Sequence, residues 1–120
     1  METIGTDSAT NHGSMHGPGY SGGSPLTATY SLPGAPKLSD DFHVYAIEWA
    51  TDVVRFYVDG HLFETRTPAD LPAGKQWVYN HPFFMILNLA VGGTWPGSPD
   101  TTTVLPAHML VDYVRVYHPS

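Results

Sequence analysis

An all-β sandwich is the fold this sequence predicts, and three observations carry the prediction. No stretch of ten residues keeps a helical period of apolar positions. Short runs rich in β-branched and aromatic residues fill most of the chain. Glycines and prolines, 12 and 11 of the 120 residues, punctuate those runs at short intervals. A chain with that rhythm builds roughly six or seven short antiparallel strands in two layers.

Taken in order, Met1-Glu2-Thr3-Ile4-Gly5 reads as the tail end of a strand. It has neither the basic start nor the apolar stretch of a signal peptide. Residues 5–25 are dominated by Gly, Ser, His, Asn and Pro, and read as a loop with one short strand near Met15 and His16. Residues 27–32 are β-rich and end at Pro33-Gly34. Residues 42–49 are apolar on both alternations, with Phe42, Val44 and Ala46 on one face and Tyr45, Ile47 and Trp49 on the other. That pattern predicts a strand sandwiched between layers. Residues 53–58 and 61–65 flank Asp59-Gly60, a pair that accepts the positive φ angles of a tight hairpin turn. Residues 67–76 form a loop, and residues 77–79 a short strand. The strongest strand signal is residues 83–91, with Phe83, Met85, Leu87, Leu89 and Val91 on one wholly apolar face. A turn-rich loop then holds Trp95, and residues 109–117 read as the last strand, interrupted by Asp112. There is no internal repeat and no long linker, so the chain reads as part or all of one domain.

Composition narrows the function classes. Five basic residues against 11 acidic ones give a net charge of −6, which excludes a basic stripe for nucleic acid as a main theme. No apolar run approaches the roughly 18 residues of a membrane helix. Cysteine is absent, which removes disulfides, thiolate chemistry and cysteine zinc sites. Charged residues make up 13%, about half the usual share, so the surface is neutral-polar or expects to be covered.

Few residues offer chemistry by pattern alone. His12-x-x-x-His16 has the spacing of a helical zinc pair, but its Gly/Ser/Pro surroundings cannot hold a helix. No Gly-x-Ser-x-Gly elbow exposes a serine nucleophile. Asn88 is the one polar residue in an apolar strand. It reads either as a core amide bonded to backbone or as a hydrogen-bonding group on a ligand-facing sheet. Trp95, just beyond Gly92-Gly93, reads either as core or as a platform for the apolar face of a sugar ring.

Several segments together resemble glycoside hydrolase family 16, most closely its laminarinase-like endo-β-1,3-glucanases. They are Met1-Glu2 with its following turn, His16-Gly17-Pro18-Gly19-Tyr20-Ser21-Gly22-Gly23, Phe42 through Trp49, Val58-Asp59-Gly60, Pro82 through Gly97, and Val111 through Tyr117. They run in family order across essentially the whole chain. The resemblance implies a jelly-roll, concanavalin-like sandwich, of which residues 1–120 are expected to be about the C-terminal half. It implies a secreted or periplasmic polysaccharide hydrolase acting on β-glucan, with no nucleic-acid or membrane partner and with self-association through exposed strand edges.

The family motif is Glu-x-Asp-x-x-Glu on one strand. With one bulge residue before the last Glu, all three carboxylates reach one face. By resemblance Glu2 is the general acid/base, preceded by the bulge residue Met1. The nucleophilic Glu and the helper Asp are expected before Met1, and this sequence does not contain them. The resemblance further implies sugar-binding roles for His16, Asn88 and Trp95. It gives His43 a role near the substrate that is supporting rather than catalytic. Asp112 matches a residue that in many relatives helps hold a structural calcium, with a strand-capping Asp as the other reading. No cofactor is expected for catalysis. The alternatives to an endo-glucanase are a non-catalytic sugar-binding sandwich of lectin type and a structural module. The last leaves Asn88 and Trp95 unexplained.

Overall fold

The computed structural model describes residues 1–118, which divide into two compact units, Met1–Phe83 and residues 84–118. The first unit contains six strands: β1 (Glu2–Ile4), β2 (Asp7–Met15), β3 (Leu26–Ser31), β4 (Tyr45–Ala50), β5 (Val53–Val58) and β6 (His61–Arg66). Two single 3-10 turns, Leu38–Asp40 and Pro68–Asp70, are the helical elements among the described residues. The strands form two antiparallel three-stranded sheets, ordered β1-β2-β3 and β4-β5-β6. The all-β class expected from the sequence therefore holds.

The two sheets pack through a small core. Met15, Val54 and Phe56 are its buried centre, and Met1, Leu26, Phe63, Trp77 and Tyr79 close around them. Tyr30 of β3 stacks on His61 at 4.5 Å and on Phe63 at 5.8 Å, which ties β3 over β6. The hairpin between β5 and β6 forms as expected, with φ of 50° at Asp59 and 77° at Gly60. The turn between β4 and β5 puts Asp52 at φ 59°. Asn80 holds that residue by accepting its N–H at 3.0 Å and donating to its carboxylate at 2.7 Å.

Three expectations need correction. Residues 7–15 are a nine-residue strand rather than a loop. Its inward residues are Asn11, Gly13 and Met15, so the buried side carries no apolar alternation. A Cβ at Gly13 would run into Glu64 Oε2 and the Phe63 ring. Glycine in a strand interior marks such close approaches. Second, β4 is not sandwiched. Tyr45, Ile47 and Trp49 pair with Val58, Phe56 and Val54 on one face, yet they are exposed while their β5 partners are buried. The cover over that face ends at β5. Third, residues 77–79 form no strand, although Trp77 and Tyr79 pack on the core.

The second unit, described by itself, holds no strand among its described residues beyond one bridge, Gly93 to Gly97. Residues 83–91 and 109–117 have strand-like sequences but remain irregular, and Phe84 is 85% exposed. A strand apolar on both faces needs a hydrogen-bonded neighbour and a layer on each side. Within the second unit it has neither. No described helix is long and apolar enough to cross a membrane.

Candidate active-site face

The register of the first sheet decides which way Glu2 points. Ile4 pairs with Asp7, but Glu2 pairs with His12. Thr3 alone therefore lies opposite residues 8–11, so β2 carries three extra residues in a bulge. An odd shift turns a side chain to the other face of a sheet. Without it Glu2 would share a face with the inward residues of β2. With it Glu2 stands beside His12, on the face away from the core, and is exposed.

Apart from Ile4, which shares the face of Glu2 on β1, the residues of that face are polar. His12 is itself paired with Thr29 of β3, so Glu2, His12 and Thr29 form one row across three strands. The rows on either side are hydroxyl pairs: Ser14 and Thr27 share a hydrogen bond of 3.0 Å, and Thr10 and Ser31 one of 3.2 Å. Thr10 also donates to the Asp7 carboxylate at 3.0 Å. Hydroxyls and a carboxyl in cross-strand rows are suited to a neutral, hydroxyl-rich ligand.

The opposite face is fixed by buried polar groups. Glu64 of β6 is 4% exposed, and its Oε1 accepts from Arg66 Nε at 2.7 Å. Arg66 also donates to the Thr27 carbonyl at 2.9 Å, which ties β6 to β3. Burial pushes the Glu64 carboxyl up from its ordinary value, against the pull of Arg66 and of the Ala28 amide. Asn11, also buried, donates to Thr3 Oγ1 at 3.4 Å and so pins the bulge.

The segment after β2 is a folded loop. Gly17 and Tyr20 exchange backbone hydrogen bonds of 3.2 and 3.0 Å, and the Tyr20 ring fills the space where a Gly17 side chain would go. Tyr20 is buried, and its hydroxyl donates to the Gln76 carbonyl at 3.0 Å. Tyr79 donates to the His16 carbonyl at 2.7 Å. Burial, then the neighbouring Tyr20 hydroxyl, raise the Tyr79 pKa.

In the first unit, His16 and His43 lie on separate segments. His16 lies just beyond β2, exposed, two residues on from Ser14. His43 is 2.7 Å from Asp59 Oδ2, while Asp59 Oδ1 accepts the Val44 amide at 2.8 Å. Against burial, which would raise it, the Val44 amide and then His43 hold the Asp59 carboxyl below its ordinary value. His43 thus serves the β5–β6 turn. In the second unit Asn88 is exposed. Trp95 is 51% exposed on a loop closed by two 3.0 Å hydrogen bonds between Gly93 and Gly97. Calcium takes about 6–8 oxygens. Among the described residues no three His, Cys, Asp or Glu gather to hold a metal; the other oxygens for a calcium at Asp112 are those expected from residues before Met1.

The model of glycosyl hydrolases family 16 matches residues 1–115. The chain belongs to that family. A β-glucanase of Rhodothermus marinus is 37% identical over 98% of this chain. The endo-1,3-β-glucanase (laminarinase) catalytic domain of Thermotoga petrophila is 50% identical over 86% of this chain, with a TM-score of 0.80. The endo-β-1,3-glucanase of Pyrococcus furiosus is 48% identical over 87%, with a TM-score of 0.81. This family 16 chain spans 42% of the Rhodothermus protein, 42% of the Thermotoga chain and 40% of the Pyrococcus chain.

The sequence of this family 16 chain singled out His12 only as half of a zinc-pair spacing, and it gave no notice of the hydroxyl rows or the buried Glu64. The signal for the first two was present as a polar alternation, Thr10, His12, Ser14, His16. It goes unread when alternation is sought only among apolar residues.

Proposed function

We propose that this chain supplies the acid/base and part of the sugar cleft of a retaining endo-β-glucanase. It would cut internal β-1,3 linkages, with mixed β-1,3-1,4 glucan as the nearest other substrate. The carrying observation is the odd bulge that turns Glu2 onto the polar, hydroxyl-bearing face. Relatives named as endo-1,3-β-glucanases at about half identity support the linkage. In this reading both units belong to one catalytic domain, and the nucleophilic carboxylate comes from residues before Met1.

The chemistry follows from one carboxyl working twice. In the first step Glu2 passes its proton to the glycosidic oxygen as that oxygen leaves the anomeric carbon and the nucleophilic carboxylate bonds to it. In the second, the Glu2 carboxylate takes a proton from water, whose oxygen displaces the nucleophile. The two carboxyls must stand roughly 5–5.5 Å apart. His16 and Asn88 would hydrogen-bond sugar hydroxyls, and Trp95 would stack on a ring. His43 would act indirectly, by fixing the hairpin turn.

Glu2→Gln in the complete catalytic domain tests this. Turnover of β-1,3-glucan should fall about 10²–10⁴-fold. The loss should shrink on substrates with good leaving groups, and azide, which needs no general base, should restore their turnover. The 120-residue chain alone should not hydrolyse β-1,3-glucan; retaining hydrolysis by it would assign Glu2 the wrong role. The exposed Trp95 also suits a second reading, a non-catalytic sugar-binding sandwich. In that case the complete protein binds glucan with or without Glu2→Gln and cuts none.

A further inference from the structure

We propose that Asp59-Gly60 is this chain's site of spontaneous backbone isomerisation, and that His43 and the Val44 amide clamp the Asp59 carboxylate so that the folded protein is spared it.

Asp59 is the one Asp or Asn of the chain that precedes a Gly. Glycine has no side chain to shield its amide nitrogen, so that nitrogen can reach the side-chain carbon of the residue before it. In the reaction the Gly60 nitrogen bonds to Asp59 Cγ, and one carboxyl oxygen leaves as water, carrying the carboxyl and amide protons. Water then adds to either carbonyl of the resulting ring. Breaking the bond from nitrogen to Cγ restores aspartate. Breaking the bond from nitrogen to the main-chain carbon leaves the chain running through the side chain, as isoaspartate. One water leaves and one returns, and nothing is oxidised or reduced.

The contacts of Asp59 oppose each part of that step. Its Oδ2 lies 2.7 Å from His43 Nδ1. A carboxylate only accepts, so the ring nitrogen carries the proton and donates. Its Oδ1 accepts the Val44 amide at 2.8 Å, and its own amide donates to the Val44 carbonyl at 2.9 Å. Both oxygens are therefore held toward the segment before β4 and favoured as the ion, whereas the oxygen that leaves must be protonated. The turn is a second obstacle. Positive φ at Asp59 and Gly60 makes it type I′, which holds ψ of its first residue near about 30°. Closing the ring needs a large rotation about that bond to bring Cγ beside the Gly60 nitrogen. Burial is not the main protection, because 40% of the Asp59 side chain is open to water. The His43 ring is the fixed partner, 11% exposed and edge-on to Tyr45 at 6.4 Å.

Isoaspartate would add one backbone atom to a two-residue turn. The pairing of Val58 with His61 would be lost, and with it the stack of His61 on Tyr30 that ties β3 over β6.

The test ages the 120-residue chain in heavy-oxygen water, which marks residue 59 each time a ring opens, and reads the label by mass spectrometry of the digested peptides. Circular dichroism reports which samples are folded. In denaturing urea the label should collect at Asp59. The folded parent should gain it at least about tenfold more slowly, and folded His43→Leu about fivefold faster than the folded parent. His43→Asn, whose amide nitrogen stands near the place of Nδ1, should stay close to the parent. Where His43→Leu does not fold, His43→Gln replaces it: its amide lies one bond farther out, so it should label faster than His43→Asn. Label mainly at another residue in urea overturns the site. Equal rates in the folded parent and in urea, in folded His43→Leu and the parent, or in folded His43→Gln and His43→Asn, overturn the clamp.

Discussion

Replacing Gly13 by Ala should destabilise the first unit, for a reason written in its two nearest neighbours. The new methyl would occupy the position of Glu64 Oε2 and press on the Phe63 ring. Glu64 cannot readily swing away. Its side chain is 1% exposed, and its other oxygen is held by Arg66 Nε at 2.7 Å. The Phe63 ring is bounded by Tyr30 at 5.8 Å and Phe56 at 6.2 Å. Overpacking of this kind costs about 1–3 kcal/mol. Loss of glycine freedom in the unfolded chain returns about 0.4–1 kcal/mol. The net is a loss of about 1–2 kcal/mol. With a urea slope of about 1–3 kcal/mol per molar, the midpoint should drop by about 1 M. Tryptophan fluorescence at one fixed protein concentration reads it. In a Glu64→Ala background the same change should cost less than half as much, because the clashing atom is gone. An equal cost in both backgrounds, or a higher midpoint for Gly13→Ala, would refute the steric argument.

Two further outcomes can be checked. Burial raises the Glu64 carboxyl above its ordinary 4.5, so its stabilising contribution is full below that pH and is lost as pH rises through the higher folded value. The urea midpoint of the parent relative to Glu64→Gln should therefore fall as pH rises past the ordinary 4.5; a relative rise would mean that the Arg66 attraction outweighs burial. The exposed apolar side chains of β4 and of residues 83–91 should drive association. Sedimentation should give a mass above the monomer that grows with concentration. A monodisperse chain with a cooperative melt near about 60 °C would contradict that expectation.

What the sequence revealed depended on whether each local rule had a local cause. The β5–β6 hairpin was legible because Asp59-Gly60 encodes its own turn and Val54, Phe56 and Val58 encode their own face. β2 was not, because its inward glycine is explained by a carboxylate about fifty residues away, and no window along the chain contains both. Residues 83–91 mislead in the other direction: the pattern is that of a doubly covered strand, but pairing depends on neighbours, and the second unit by itself supplies none. The candidate site was half legible. Glu2 came from motif resemblance, whereas the face it occupies follows from a bulge whose size only the register reveals. The supporting role of His43 rested on resemblance alone, and its partner Asp59, 16 residues on, shows only in the structure.

The closed loop around Trp95 bears on how a flexible polymer could be held and let go. Fixing a backbone residue costs about 1–2 kcal/mol of entropy, and an aromatic on a slack loop would incur that cost each time a ligand arrived. Here the paired hydrogen bonds between Gly93 and Gly97 fix the backbone beneath the ring during folding. For a sugar stacking on Trp95 as proposed, little ordering of the loop would remain to oppose capture. Yet the ring is half open to water and grips from one side only. Such a contact would form quickly and break quickly, so on the proposed reading it would release a sugar as readily as it takes one.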